Sequence, residues 1–150
     1  MKNNNLVEWV LRNEQGISKA VYENRNDMGD IVARGGQKSC SKGDPVANTA
    51  IKNVTELPNV VVECDNGRTF NLRNPEKWLK MVRIVKEHYE NGLQGRMISK
   101  IYQEGQSLDK TMADLGVSRS TLYVMRLDVM TFAEGVAYGL GLIQKKFTKY

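Results

Sequence analysis

Apolar residues recur every three or four positions over most of this chain, which is the spacing of one face of an α-helix. Close to the start they form the stripe Leu6, Val7, Trp9, Val10 and Leu11. A second stripe follows, formed by Ile17, Ala20, Val21 and Met28. The two stripes predict two short helices, and Gly16 between them predicts a break, because glycine is a poor helix former.

The helical spacing is lost from Gly29 to Asp44, where the chain reads GDIVARGGQKSCSKGD. Four glycines without a sustained apolar period predict a flexible loop, and its lysines make it a basic linker. Asp44 and Pro45 then predict the start of another helix, because aspartate is a good N-cap and proline suits the first helical position.

A β-hairpin is predicted over the sequence NVVVECDNGRTFNL. Asp65, Asn66 and Gly67 tolerate the positive φ angles that tight hairpin turns require. The strand-forming residues on either side are Val60, Val61, Val62 and Cys64 before the turn, and Thr69, Phe70 and Leu72 after it.

Two helices are predicted after the hairpin. Asn74 is the expected N-cap of the first, Pro75 its first residue, and Gly92 its end. The stripe of this helix that we expect to be buried is Trp78, Met81, Val82, Val85 and Tyr89. The second helix closes at Gly105, and the apolar residues on its inner side are Met97, Ile98, Ile101 and Tyr102.

The segment ADLGVSRSTLY places a helix stop and a helix start two residues apart. Gly116 suits the left-handed conformation that ends a helix, and Val117 fills the corner. Ser107 and Ser118 are the predicted N-caps of the two helices. The residues expected to point inward are Leu108, Met112 and Leu115 before the corner, and Leu122, Met125, Val129, Phe132 and Val136 after it. Such a corner is typical of helix-turn-helix proteins, whose second helix enters the DNA major groove.

In that geometry, Arg119, Ser120 and Tyr123 lie on the outward face of the last helix, with Val124 beside them. Arg119 can donate two hydrogen bonds to guanine, Ser120 or Tyr123 can bond bases or phosphates, and Val124 can contact a thymine methyl group. The residues expected at phosphates are Arg96, Lys100, Lys110 and Arg126. The alternative is a corner that only builds a helical bundle, and the basic patch is weakened by Asp109, Asp114 and Asp128.

The distribution of charge favours an anionic partner for the C-terminal half. The net charge is +5, from 22 Lys+Arg against 17 Asp+Glu. Residues 1–75 hold ten basic against nine acidic residues, whereas residues 76–150 hold twelve against eight. The excess is therefore +1 in the first half and +4 in the half that contains the corner.

The sequence offers no pattern of catalytic or metal-binding residues. The one histidine, His88, and the distant Cys40 and Cys64 do not make up a zinc ligand set, and whether the two cysteines form a disulfide stays open. No nucleophile–histidine or paired-carboxylate arrangement is legible, so we expect no enzyme activity, no cofactor and no metal. No apolar run approaches ~18 residues, so we expect no contact with a membrane and a cytoplasmic, nucleoid-associated protein.

The predicted fold class is mainly α with one small β-hairpin and a C-terminal helix-turn-helix domain. Residues 1–43 form an N-terminal helical segment with its glycine-rich loop. Residues 44–73 form a helix and the hairpin, and residues 74–150 form the DNA-binding domain.

The order of these parts resembles a known family of phage proteins. The segments NPEKWLK, SKIYQEGQSLDKTMADLGVSRSTLYVMRLDVMTFAE and the closing GLI are similar to late-gene transcription regulators of the RinA/ArpU type, whose C-terminal part resembles sigma-factor region 4. The resemblance is clearest over residues 74–143 and looser over residues 44–73. It implies a sequence-specific DNA-binding activator of phage packaging, structural or lysis genes that works with the host RNA polymerase. The residues that it implies at the promoter are Ser118, Arg119, Ser120, Tyr123 and Arg126.

Other functions remain open at this stage. The chain could be a terminase small subunit or a recombinase-accessory protein that binds double-stranded DNA without activating transcription, or a protein-interaction module without DNA activity. One helix-turn-helix buries only ~600–1,000 Å² of protein surface on DNA, so we expect a homodimer or a partnership with polymerase. The small residues of MTFAEGVAYGLGLI suit either a dimer surface or packing within the chain.

Overall fold

The computed structural model describes residues 3–35 and 55–144. These residues form six α-helices and one two-stranded antiparallel sheet, which confirms the mainly helical class with a small hairpin. In chain order the elements are α1 (Asn3–Arg12), α2 (Glu14–Gly35), β1 (Asn59–Glu63), β2 (Thr69–Arg73), α3 (Pro75–His88), α4 (Leu93–Ile98), α5 (Leu108–Leu115) and α6 (Arg119–Gly139). A π-helical segment, Ser99–Gln103, continues α4.

The described residues divide into two compact units. One consists of residues 15–35 and 55–76, which form most of α2 together with the hairpin. The other consists of α1 and residues 77–144. The N-terminal helix therefore belongs with the helices of the predicted DNA-binding domain rather than with the segment that follows it in sequence, because α1 packs against α6 and the π-helical segment.

The break between α1 and α2 lies at Asn13 and not near Gly16 as predicted. The side chain of Asn13 donates to the carbonyl of Trp9 over 2.7 Å, which satisfies the end of α1. Gly16 instead lies within α2, where a Cβ would be 3.5 Å from Cγ1 of Val62, an ordinary packing distance. A single helical glycine costs only about 1 kcal/mol, which packing of the helix offsets.

The structure extends α2 as far as Gly35, so the loop predicted from Gly29 begins later than expected. Alanine and arginine in the sequence IVAR have high helix propensity, and they outweigh the single glycine before them. The helix predicted at Asp44 and Pro45 lies outside the described residues, as does Cys40.

The hairpin has the predicted strands and turn. Val60 pairs with Leu72 and Val62 with Phe70, and the turn glycine, Gly67, has a φ of +75°. Burial alternates along β1, since Val60 and Val62 are buried while Val61 is 61% exposed. The inner face of the hairpin unit is completed by Ile17, Val21, Leu57 and Leu72.

The helical unit has a core to which every helix except α5 contributes buried apolar residues. The predicted buried residues of α3 and of α4 with its π-helical continuation are confirmed, except that Tyr89 lies half-buried in the turn after α3. In α6, Leu122, Met125 and Val129 are buried as predicted. Further along, the buried residues are Ala133 and Ala137, while Phe132 and Val136 are half-buried, because continuing in steps of four from Val129 selects the alanines.

Candidate nucleic-acid interface

The corner between α5 and α6 forms as the sequence predicts. Ser107 caps α5, because its hydroxyl accepts from the backbone N–H of Lys110, and Ser118 caps α6 by accepting from the N–H of Thr121 at 3.2 Å. Gly116 is left-handed, with φ 66° and ψ 35°. The backbone N–H groups of Gly116 and Val117 both donate to the carbonyl of Met112, which closes the end of α5.

Four side chains at the start of α6 point into solvent. Arg119 and Ser120 are exposed, Tyr123 is 67% exposed, and Val124 is 62% exposed. Leu122 and Met125, between and beyond them, are buried. The first turns of α6 therefore present a base-reading set of an arginine, a hydroxyl, a phenol and an isopropyl group on the side away from the core.

The packing of α5 differs from the prediction. Leu108 is 38% exposed and Met112 and Leu115 are half-buried, whereas Thr111 is fully buried. The threonine can be buried because its hydroxyl lies 2.8 Å from the carbonyl oxygen of Ser107 and 3.0 Å from Oε1 of Gln106. A stripe of apolar residues could not identify this position, since the inward residue is polar.

Two of the four expected phosphate contacts remain exposed. Arg96 and Lys110 are both solvent-exposed. Lys100 is half-buried, and its Nζ lies 3.3 Å from Oδ2 of Asp114. The hydrogen bond from Lys100, with a second from Gln106, lowers the pKa of Asp114 below its usual range, so this pair is charged at neutral pH. Lys100 is thus already neutralised within the chain.

Arg126 does not belong to the exposed set, which corrects its assignment as a phosphate contact. It points towards α1, where its Nη2 lies 3.1 Å from Oε1 of Glu8. The same carboxylate oxygen lies 3.0 Å from Nη2 of Arg12, and the guanidinium of Arg12 lies 5.2 Å from the ring centre of Tyr102. Burial raises the pKa of Tyr102, which keeps its hydroxyl neutral. One carboxylate therefore joins α1 to α6 through two arginines.

A second set of contacts joins the end of α3 to the middle of α6. The hydroxyl of Tyr89 donates to Oδ2 of Asp128 at 3.2 Å, and His88 stacks on Phe132 with ring centres 4.0 Å apart. Burial, together with the charge and hydrogen bond of Asp128, raises the pKa of Tyr89 to about 12. Asp128 is therefore held beside Tyr89, one to two turns beyond the exposed start of the helix.

One exposed residue on this face was not predicted. Leu127 is 57% exposed and follows Tyr123 by four positions and Val124 by three, which places it on the same side of α6. Helical spacing from Ser120, seven residues earlier, was the signal that could have found it.

Comparisons of the chain with protein-family models, with curated proteins and with solved structures find no match in any of the three. Within residues 3–35 and 55–144, no helix is long and apolar enough to cross a membrane. The same residues contain no group of three or more histidine, cysteine or acidic side chains that could hold a metal ion. Cys64 is half-buried with a free thiol.

Proposed function

We propose that this protein is a sequence-specific DNA-binding transcription regulator that reads the major groove with the start of α6. The observation that supports this most directly is the capped corner at Gly116, followed at once by exposed Arg119, Ser120, Tyr123 and Val124. A helix whose first turns are fixed by a cap and free of intrachain cover is what groove insertion needs.

Each exposed side chain has a distinct role in this proposal. Arg119 donates two hydrogen bonds to O6 and N7 of guanine, and Ser120 and Tyr123 bond bases or phosphates. Val124 contacts a thymine methyl group, and Leu127 extends that apolar contact along the groove. Arg96 and Lys110 bind phosphates and so fix the register of the protein on the duplex.

The biological role within this proposal rests on the resemblance of residues 74–143 to RinA/ArpU-type regulators. On that basis the protein activates packaging, structural or lysis genes of a phage together with the host RNA polymerase, in the cytoplasm of the bacterial host. The test is transcription from a template that carries the selected site, with and without the protein. Binding without stimulation would favour the terminase small-subunit or recombinase-accessory role instead.

One observation favours a second candidate, a protein-interaction surface. Val124 and Leu127 are both more than half exposed and lie next to each other on α6. Adjacent exposed apolar side chains are also typical of protein contacts. In that case Arg119 would face an acidic partner, and the protein would recover no enriched DNA sequence.

The experiment is selection from a random duplex library at about 150 mM salt, followed by binding of the enriched site to wild type and to Arg119→Ala. We expect the substitution to weaken the preferred site by roughly 1–3 kcal/mol and to relax specificity at one base pair. Arg83→Ala is the matched control, because Arg83 on α3 is equally exposed and paired only loosely with Glu87. Equal loss on every sequence would make Arg119 a phosphate contact and contradict its assignment to a base.

A further inference from the structure

The exposed face of α6 continues well beyond the residues assigned to DNA. Leu127 is 57% exposed, Tyr138 is 47% exposed, and Thr131 and Gly135 between them are also exposed. Steps of four, four and three residues keep these side chains in one strip along the helix. We call this set the outer strip; it contains no charged residue.

Gly135 in the outer strip has no role within the chain that requires glycine. It lies inside α6, where glycine is less favourable than alanine by about 1 kcal/mol. A Cβ at this position would have no atom within 4 Å, so no packing against the rest of the chain excludes a side chain. Close approach of another surface would give the missing side chain a structural reason.

A second copy of this chain fits the outer strip. An uncharged strip is complementary to itself, and a two-fold axis through its centre pairs the strip of one copy with that of the other in antiparallel orientation. Leu127 of one copy then lies near Tyr138 of the other, and Thr131 lies opposite Gly135. The one large pair and the one small pair both fall within the contact.

The position of the strip along α6 sets the distance between two DNA-reading ends. The strip is centred near residue 133 and the base-reading set near residue 121 or 122, a separation of about 11 residues or 17 Å at 1.5 Å per residue. The two-fold axis doubles this separation to about 34 Å. Half-sites one helical turn apart on one side of DNA are separated by about 34–36 Å.

The size of the strip limits the strength of the contact. A stable dimer buries about 800 Å² on each partner. Four partly exposed residues on three turns of one helix provide less than that. The contact is therefore too small to hold a dimer at low concentration by itself, and two half-sites on one duplex would supply the remaining association through effective concentration.

Resting on the proposed DNA function, we propose that two copies of this protein associate through the outer strip when they bind paired inverted half-sites centred one helical turn apart. The chain is then a monomer or weak dimer when free and a dimer on DNA.

The experiment compares duplexes that carry one selected half-site, two inverted half-sites 10–11 base pairs apart, and the same pair 15–16 base pairs apart. We expect the first paired duplex to bind at least about tenfold more tightly per half-site than the other two. The test variant is Gly135→Gln, which keeps the charge and raises helix propensity but places a side chain in the contact. It should remove the spacing-dependent gain and leave binding to one half-site unchanged.

Gly139→Gln is the matched control, because Gly139 also has open space around it but points about 100° away from Tyr138. It should retain the gain. Equal binding to all three duplexes, or a gain that survives Gly135→Gln, would overturn the dimer while the proposed DNA function stands. Failure to bind even a single half-site would overturn the proposed function itself. Sedimentation of wild type and Gly135→Gln without DNA would then decide the strip separately, since a concentration-dependent dimer lost in the variant supports it and its absence rejects it.

Discussion

The outer and inner faces of α6 each carry an arginine, and the two lie in opposite environments. Arg119, on the outer face, is exposed at the first helical residue. Arg126, two turns later on the side that faces α1, is bound to Glu8 and has a buried Nε. The first can bind a ligand, whereas the second holds two helices of the same unit together.

The difference shows that the partner of an arginine, and not its presence on a recognition helix, decides its role. A guanidinium that already has a carboxylate partner would have to give up that contact to bind phosphate. The same reasoning separates Lys110, which is exposed, from Lys100, which is paired with Asp114. The basic surface available to DNA is therefore smaller than the number of basic residues around the corner indicates.

The largest contrast between the two faces is expected from truncating an apolar residue on each. Leu122 is 2% exposed, and Leu122→Ala should lower the free energy of unfolding by about 2–5 kcal/mol through lost burial and the cavity that remains. Val124→Ala on the outer face should change it by less than about 0.5 kcal/mol. Urea denaturation measures both, and similar losses for the two variants would mean that the outer face is covered.

A smaller contrast is expected from the carboxylates that bind arginines. Glu8→Gln leaves Arg126 partly buried without its counter-charge, and we expect a loss of about 1–2 kcal/mol in the free energy of unfolding. Glu87→Gln is the control, because its ion pair with Arg83 is 3.9 Å long and well exposed, and it should have almost no effect.

A double-mutant cycle of Glu8→Gln with Arg126→Met isolates the pair from the contact of Glu8 with Arg12. If Glu8→Gln kept full stability and strengthened DNA binding, Arg126 would be available for phosphate, as the sequence alone predicted.

The features that sequence analysis predicted correctly depend on neighbouring residues. Ser107 and Ser118 accept from backbone N–H groups three residues later, and Gly116 adopts its left-handed conformation independently of distant contacts. The hairpin turn at Gly67 is local in the same sense. Short-range chemistry of this kind can be read directly from a string of residues.

The features that it missed depend on contacts between distant segments. Glu8 and Arg126 are 118 positions apart, and nothing in the local pattern of either indicates the other. The buried position of α5 is Thr111, which only its bonds to Gln106 and Ser107 make suitable for the interior. Likewise, the choice of Ala133 over Phe132 for burial follows from the direction in which the helix continues, whereas size alone favours the phenylalanine.

The smallest expected effect concerns pH and the contact of Tyr89 with Asp128 on the rim between the two faces. Because the pKa of Tyr89 is raised from 10.0 to about 12 in the folded protein, this residue's contribution to stability is complete below pH 10 and is lost as the pH rises towards 12. Solvent screening keeps that contribution to about 1 kcal/mol or less, since Tyr89 is only half-buried and Asp128 is exposed. Ultraviolet titration of phenolate should show one late-ionising tyrosine that is absent from Tyr89→Phe. Asp128→Asn should shift that ionisation to lower pH but not abolish the delay, because burial is the larger cause. An unchanged titration in Asp128→Asn would mean that Asp128 does not contact Tyr89 in solution and is instead free to repel DNA beside the outer face.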